Sequence, residues 1–160
     1  MKLRPTQPSD LPFILSAESH PENAPYITQC SRAWHEMAIA SEDYAHFVVE
    51  DDFKDLGYTI LAGVQSPHDS LEIRRIVAIE KGKGYGRQIL RWVKSFAFEQ
   101  LGHHRLWLDV LEKNGRAKHL YQSEGFVVEG IVREGFKTPS GYESMILMSI
   151  LERDYRAASK

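Results

Sequence analysis

Apolar residues recur along this chain at two spacings, every second position or every third to fourth, and the changes between them mark its elements. Lys2-Leu3-Arg4 ahead of Pro5 reads as a short strand, after which Ser9-Asp10 can cap a helix bearing Leu11, Phe13, Ile14 and Leu15. Residues 21–25, bounded by two prolines, break the pattern. A second helix is expected over 31–40, with Trp34, Met37 and Ala38 on one face. Residues 46–50 and 57–64 read as two strands of a hairpin, joined by the acidic turn Asp51-Asp52-Phe53-Lys54-Asp55.

The strand expected over 71–79 is irregular. Leu71 and Ile73 alternate with Glu72 and Arg74, yet Arg75 stands where an apolar residue was due and Ile76 where a polar one was due. A one-residue slip exchanges the two faces of a strand. Either a β-bulge near Arg74-Arg75 absorbs it, or the strand is buried on both faces beyond Arg75. Over 86–100, Ile89, Leu90, Val93, Phe96 and Ala97 recur at helical spacing, and Gly102 supplies the stop. Residues 105–110 alternate as a strand, and Asn114 can cap a helix that carries Ala117, Leu120 and Tyr121 and ends at Gly125. Residues 126–134 and 142–151 form the last two strands around Thr138-Pro139-Ser140-Gly141. This order predicts an α/β fold on a mixed sheet.

Composition narrows the class. At 160 residues, residues 1–160 are expected to form a single domain around one core. A formal net charge of −2 argues against a general nucleic-acid binder and leaves room for a local basic pocket. With Cys30 as its single cysteine, the chain can make no intrachain disulfide and no cysteine-based metal site, which suits a reducing, cytoplasmic setting without a metal. Residues 1–10 lack the apolar core of a signal peptide, and no run reaches membrane-spanning length, so no membrane association is expected.

The chemistry concentrates at Lys81-Gly82-Lys83-Gly84-Tyr85-Gly86-Arg87, which follows a strand and opens into a helix. Small residues there let backbone amides approach an anion, the helix N-terminus adds partial positive charge, and Lys81, Lys83 and Arg87 add full charges. The run lacks the Gly-Lys-Ser/Thr ending of a P-loop. Its glycines fall at the first, third and fifth positions, where a dinucleotide fingerprint needs the first, third and sixth, although Asp109 ends the next strand at about the distance that motif requires.

The same run resembles the Arg/Gln-x-x-Gly-x-Gly/Ala acetyl-coenzyme A motif of the GNAT superfamily of N-acetyltransferases, with Lys81 in place of Arg or Gln. Asn114-x-x-Ala117-x-x-Leu120-Tyr121-x-x-x-Gly125-Phe126 resembles that superfamily's second cofactor-side motif. The resemblance is closest to the branch acting on protein N-terminal amines and polyamines, through Leu71-Glu72-Ile73-Arg74-Arg75-Ile76 and the ending from Gly141-Tyr142 to Ser149-Ile150-Leu151.

It implies a mostly antiparallel central sheet flanked by helices, with fourth and fifth strands splayed so that the pantetheine arm of acetyl-coenzyme A enters between them. Backbone atoms of Ile76, Val77 and Ala78 would hold that arm, and amides from Gly82 to Arg87, Tyr85 included, would hold the pyrophosphate. The stretch Ala78-Ile79-Glu80 is about two residues shorter than usual and lacks the common proline. Asn114 and Ala117 would meet the cofactor from the next helix. The resemblance also implies a direct transfer to an amine acceptor: a protein N-terminus, a polyamine or another small amine. Tyr121 would protonate the departing thiolate, or is a core tyrosine; Glu72 would accept the amine proton, or is a solvent-facing strand residue paired with Arg74. His103 and His104, just after Gly102, are expected at the surface, and Cys30 is expected to be a structural thiol. Homodimers are common in the family. The rival reading is a non-catalytic acyl-coenzyme A sensor or interaction module that keeps the fold and the loop.

Overall fold

The computed structural model describes residues 1–52 and 54–158; Phe53 of the acidic turn lies outside them. Seven strands form one sheet: β1 (Lys2–Pro5), β2 (Tyr44–Asp51), β3 (Lys54–Ala62), β4 (Ser70–Ala78), β5 (Arg105–Leu111), β6 (Val127–Thr138) and β7 (Gly141–Leu151), in spatial order β1-β2-β3-β4-β5-β7-β6. All neighbours are antiparallel except β4 and β5. Helices α1 (Leu11–Ser19) and α2 (Arg32–Ala40) contribute to one core, where Leu11, Ile14 and Ala17 pack with Val48, Tyr58, Ile60 and Val77. Helices α3 (Tyr85–Ser95) and α4 (Gly115–Ser123) serve the other, where Ile89, Leu90 and Val93 pack with Leu71, Ile73, Leu106 and Leu108. A short α5 (Glu152–Ala158) closes the chain.

The slipped alternation in β4 is a bulge. Ile60 of β3 pairs with Arg75 and the next residue, Leu61, with Ile73, so Arg74 is the extra residue. The faces exchange there: Leu71 and Ile73 belong to the α3 core, whereas Val77 belongs to the α1 core and Arg75 is buried. The parallel pairing of β4 with β5 covers only Ser70–Glu72 against Arg105–Trp107. Beyond it the two strands part, and among the described residues the β4 edge from Ile73 onward has no partner strand on that side.

Several local expectations are corrected. Asp10 does not cap α1 with its side chain; it accepts from Gln7 N (2.8 Å) and binds Arg4, closing a 3-10 turn over Pro8–Asp10. In α2, capped by Ser31 through Trp34 N (3.1 Å), the buried residues are His35 and Ala38, while Met37 is 47% exposed. Helix α3 runs on over Phe96–Gln100 with π-type bonding and stops at Gly102, where φ is 69°. His103 is buried there, its Nε2 3.2 Å from the Val64 carbonyl; His104 is at the surface, as expected.

Candidate active site

Where β4 and β5 part, a cleft of about 620 Å3 opens between β4, the 81–87 loop and α4. Gly82 and Gly84 adopt φ of 76° and 80°, a region costly for residues with a Cβ, and a Cβ built on either meets no atom within 4 Å. Space beyond the loop is open. Backbone N–H groups of residues 81–84 make no hydrogen bond among the described residues, and the first turn of α3 adds its own unpaired N–H groups. The cleft walls include Ile76, Val77, Ala78, Lys81, Gly82, Gly84, Tyr85, Gly86, Arg87, Asn114, Ala117 and Tyr121. Lys83 is exposed and lies outside the lining. Asn114 caps α4 by accepting from Ala117 N (3.2 Å).

Two of the loop's cations, Lys81 and Arg87, are held by neighbours. Lys81 Nζ donates to the Ala78 carbonyl (2.9 Å) and to Asn23 Oδ1, bridging β4 to the segment after α1, and burial lowers its pKa. Arg87 donates to Glu124 Oε1 (2.6 Å), and the same carboxylate takes Arg91 (3.0 Å) and Lys94 (3.0 Å). Burial opposes ionisation of Glu124, but Arg91, Lys94 and Arg87 hold its pKa at about 2. Three cations around one carboxylate leave positive charge in surplus beside the loop, and Arg116 and His119, which sequence reasoning did not single out, line the cleft as well.

A second cavity of about 170 Å3 adjoins the cleft and shares Tyr26, Ile27, Ile76, Asn114, Ala117 and Tyr121 with it. Its own walls include Arg74, Arg75, Asp109, Phe136 and Met145. Tyr121 stands at the junction. Its ring packs on Phe126 (centroids 5.8 Å apart), and its hydroxyl has no hydrogen-bond partner among the described residues. Burial pushes the phenol up to about 12, and Asp109 adds to the rise.

Glu72 lines neither cavity. It is half-buried, 3.6 Å from Arg74; burial raises its pKa, Arg74 opposes the rise and Asp109 adds to it. Asp109 lines the second cavity and has no hydrogen bond or ion pair among the described residues; burial raises its pKa against the pull of Arg74. Sequence reasoning weighed Asp109 only for a dinucleotide ribose. Asp109 lies on the face of β5 opposite the buried Leu106, Leu108 and Val110, where alternation makes a polar residue ordinary, so the sequence pattern carried no signal for it.

Behind the second cavity lies a buried polar network. Glu18, 1% exposed, accepts from Arg75 (2.9 Å) and the Tyr58 hydroxyl (3.0 Å) at Oε1, and from Cys30 N (2.8 Å) at Oε2. His35 Nε2 lies 3.1 Å from Oε1 without the alignment of a hydrogen bond, while its Nδ1 is 3.1 Å from His46 Nε2 and His46 Nδ1 is 2.9 Å from Thr6 Oγ1. Ligand atoms of Glu18, Cys30 and His35 fall within 4.8 Å of one another, but the Arg75 guanidinium already supplies the cation there. The Cys30 thiol is half-buried and 3.9 Å from Arg75.

Residues 1–127 match the acetyltransferase (GNAT) domain family. This chain belongs to the GNAT acetyltransferase family. The chemistry of a GNAT enzyme, acetyl transfer from acetyl-coenzyme A to an amine, is the chemistry this cleft can perform. The spermidine N(1)-acetyltransferase of Vibrio cholerae serotype O1 is 37% identical over 111 residues, 68% of this chain and 64% of that enzyme, so the matched segment spans less than two thirds of its length. The spermidine N(1)-acetyltransferase of Escherichia coli K12 is 27% identical over 168 aligned positions, covering 100% of this chain and 90% of that enzyme. A crystal structure of the Vibrio cholerae spermidine N-acetyltransferase in complex with coenzyme A and spermine superposes with a TM-score of 0.87 at 27% identity, covering 97% of each chain.

A GNAT donor site needs backbone donors for a pyrophosphate and an open strand edge for the pantetheine amides, and the 81–84 amides and the unpaired β4 edge fit both needs. Gly84→Val forces a β-branched residue into φ of 80° and places its methyl groups over the loop. The dissociation constant for coenzyme A, measured by calorimetry, is expected to rise by about 10²-fold with the fold intact; a change within about two-fold overturns the loop assignment.

Proposed function

We propose that this GNAT enzyme acetylates a primary amine of a polyamine by direct transfer, with Tyr121 as general acid and Asp109 as the carboxylate that receives the amine proton. The observation that carries the reading is that the donor cleft and the second cavity meet at Tyr121. An amine in the second cavity faces the end of the donor cleft, and the nitrogen lone pair forms the new bond to the acetyl carbon as the carbon–sulfur bond breaks. A backbone amide of Ile76, Val77 or Ala78, beyond the β4 bulge, would polarise the carbonyl. A phenol at about 12 stays protonated at physiological pH, so Tyr121 holds a proton for the sulfur and cannot serve as the base. Asp109 is preferred to Glu72 as base because it lines the cavity and Glu72 does not. Relatives that act on spermidine support a polyamine as acceptor. The lone, half-buried Cys30 accords with a cytoplasmic setting, and no described helix is long and apolar enough to cross a membrane.

Release of free coenzyme A, measured across spermidine, spermine, short diamines and N-terminal peptides, tests the acceptor. Polyamines are expected to exceed peptides in kcat/KM by about ten-fold or more, or about 1.4 kcal/mol. Peptides turned over faster than any polyamine would contradict the reading.

A further inference from the structure

The second cavity holds a cation of its own. Arg74 is the extra residue of the β4 bulge, and its guanidinium carbon lies 5.4 Å from the centroid of the Trp34 ring of α2 while its NH1 is 3.6 Å from Glu72 Oε2. At 3.6 Å the contact with Glu72 is too long for a hydrogen bond, and the Arg74 side chain is 42% exposed. It is loosely held by two groups that attract any cation, the Trp34 face and Glu72, which flank the cavity at Arg74 without lining it. Arg75, the next residue, differs in that Glu18 ties it down in the core.

We propose that Arg74 is a specificity-determining residue that occupies the place of the acceptor's distal ammonium, so that a polycationic acceptor binds by displacing it from Trp34 and Glu72. The proposal rests on the polyamine reading above. A tethered guanidinium competes at high effective concentration, so it weakens binding of every cationic acceptor and does so most for those carrying a second charge. A monoamine, whose only charge must be lost before it attacks, competes for the niche least.

Arg74→Gln removes the competitor and leaves Trp34 and Glu72 in place. The KM for spermidine is expected to fall by about five- to ten-fold, more at low salt than at high, while the KM for a monoamine of equal length and for acetyl-coenzyme A changes by less than about two-fold. Arg74→Lys keeps the charge and should stay near the parent enzyme. An unchanged or higher KM for spermidine in Arg74→Gln overturns the proposal. So does selective loss of carboxylate-bearing amines, which would make Arg74 an anion anchor. Calorimetric titration of spermidine into the coenzyme A complex reads the niche without turnover: tighter binding in Arg74→Gln supports it, equal or weaker binding overturns it. Absence of polyamine turnover in parent and variant alike contradicts the acceptor reading separately.

Discussion

Tyr121→Phe is expected to lower kcat by about 10²-fold while leaving the affinity for coenzyme A within about two-fold, the pattern of a lost proton donor. The substitution removes one hydroxyl at the junction of the two cavities and keeps the ring that packs on Phe126, so fold and donor binding should persist. The hydroxyl has no partner among the described residues, hence no other hydrogen bond is broken with it. Because the leaving thiolate would then depart unprotonated, acceptors should all suffer alike, whichever amine is supplied. A kcat within a few-fold of the parent would return Tyr121 to the role of a core aromatic.

Glu18→Ala is expected to destabilise the fold by about 3–5 kcal/mol, because it strands the Arg75 guanidinium in the core. The Tyr58 hydroxyl and Cys30 N–H lose their acceptor at the same time. Urea unfolding measures the loss, and a double variant, Glu18→Leu with Arg75→Met, should recover most of it, since removing both charges leaves neither uncompensated. A loss below about 1 kcal/mol for the single variant would contradict this account of the network.

The network also sets a pH dependence. Burial, with His35, lowers the His46 pKa to about 4 in the folded state, so the unfolded chain takes up that proton first as pH falls. The stability His46 contributes is therefore complete above an ordinary histidine pKa of about 6.5 and lost as pH falls toward 4. Glu18 acts with the same sign: burial opposes ionisation, but His35, the Cys30 N–H and Arg75 lower its pKa overall, so its share is lost in acid too.

Legibility in the sequence followed the strength of each local signal. The slip at Arg75 was readable as a broken alternation that left a bulge or a doubly buried strand, the pairing with β3 decides for the bulge, and the same residue has a second meaning that its strand alone could not supply. Glu18 falls on the apolar stripe of α1 with Leu11 and Ile14, and the pairing of these two misplaced charges exists only in three dimensions. Met37 was placed on the inner face of α2 by hydropathy, whereas His35 takes that place because His46 and Glu18 receive it.

Helix α5 went unread because Tyr155, packed on Phe98, is its one large apolar residue and makes no stripe. Strand β6 runs to Thr138, past the expected end at 134, because its mostly exposed positions and the irregular pairing between Val132 and Phe136 leave no period to follow. At the site, the glycine loop and the Asn114-to-Phe126 motif were legible as spacing. The anchoring of Lys81 by Asn23 and of Arg87 by Glu124 was not, since each partner comes from a distant part of the chain.

Direct transfer across the Tyr121 junction is tested most directly by initial rates over a grid of acetyl-coenzyme A and spermidine concentrations, read together with the intact mass of the enzyme held with acetyl-coenzyme A alone. Intersecting double-reciprocal lines and an unmodified protein are expected, because both substrates must occupy adjoining cavities before the acetyl group moves. Parallel lines with an acetyl group on the protein, at Cys30 or elsewhere, would contradict it.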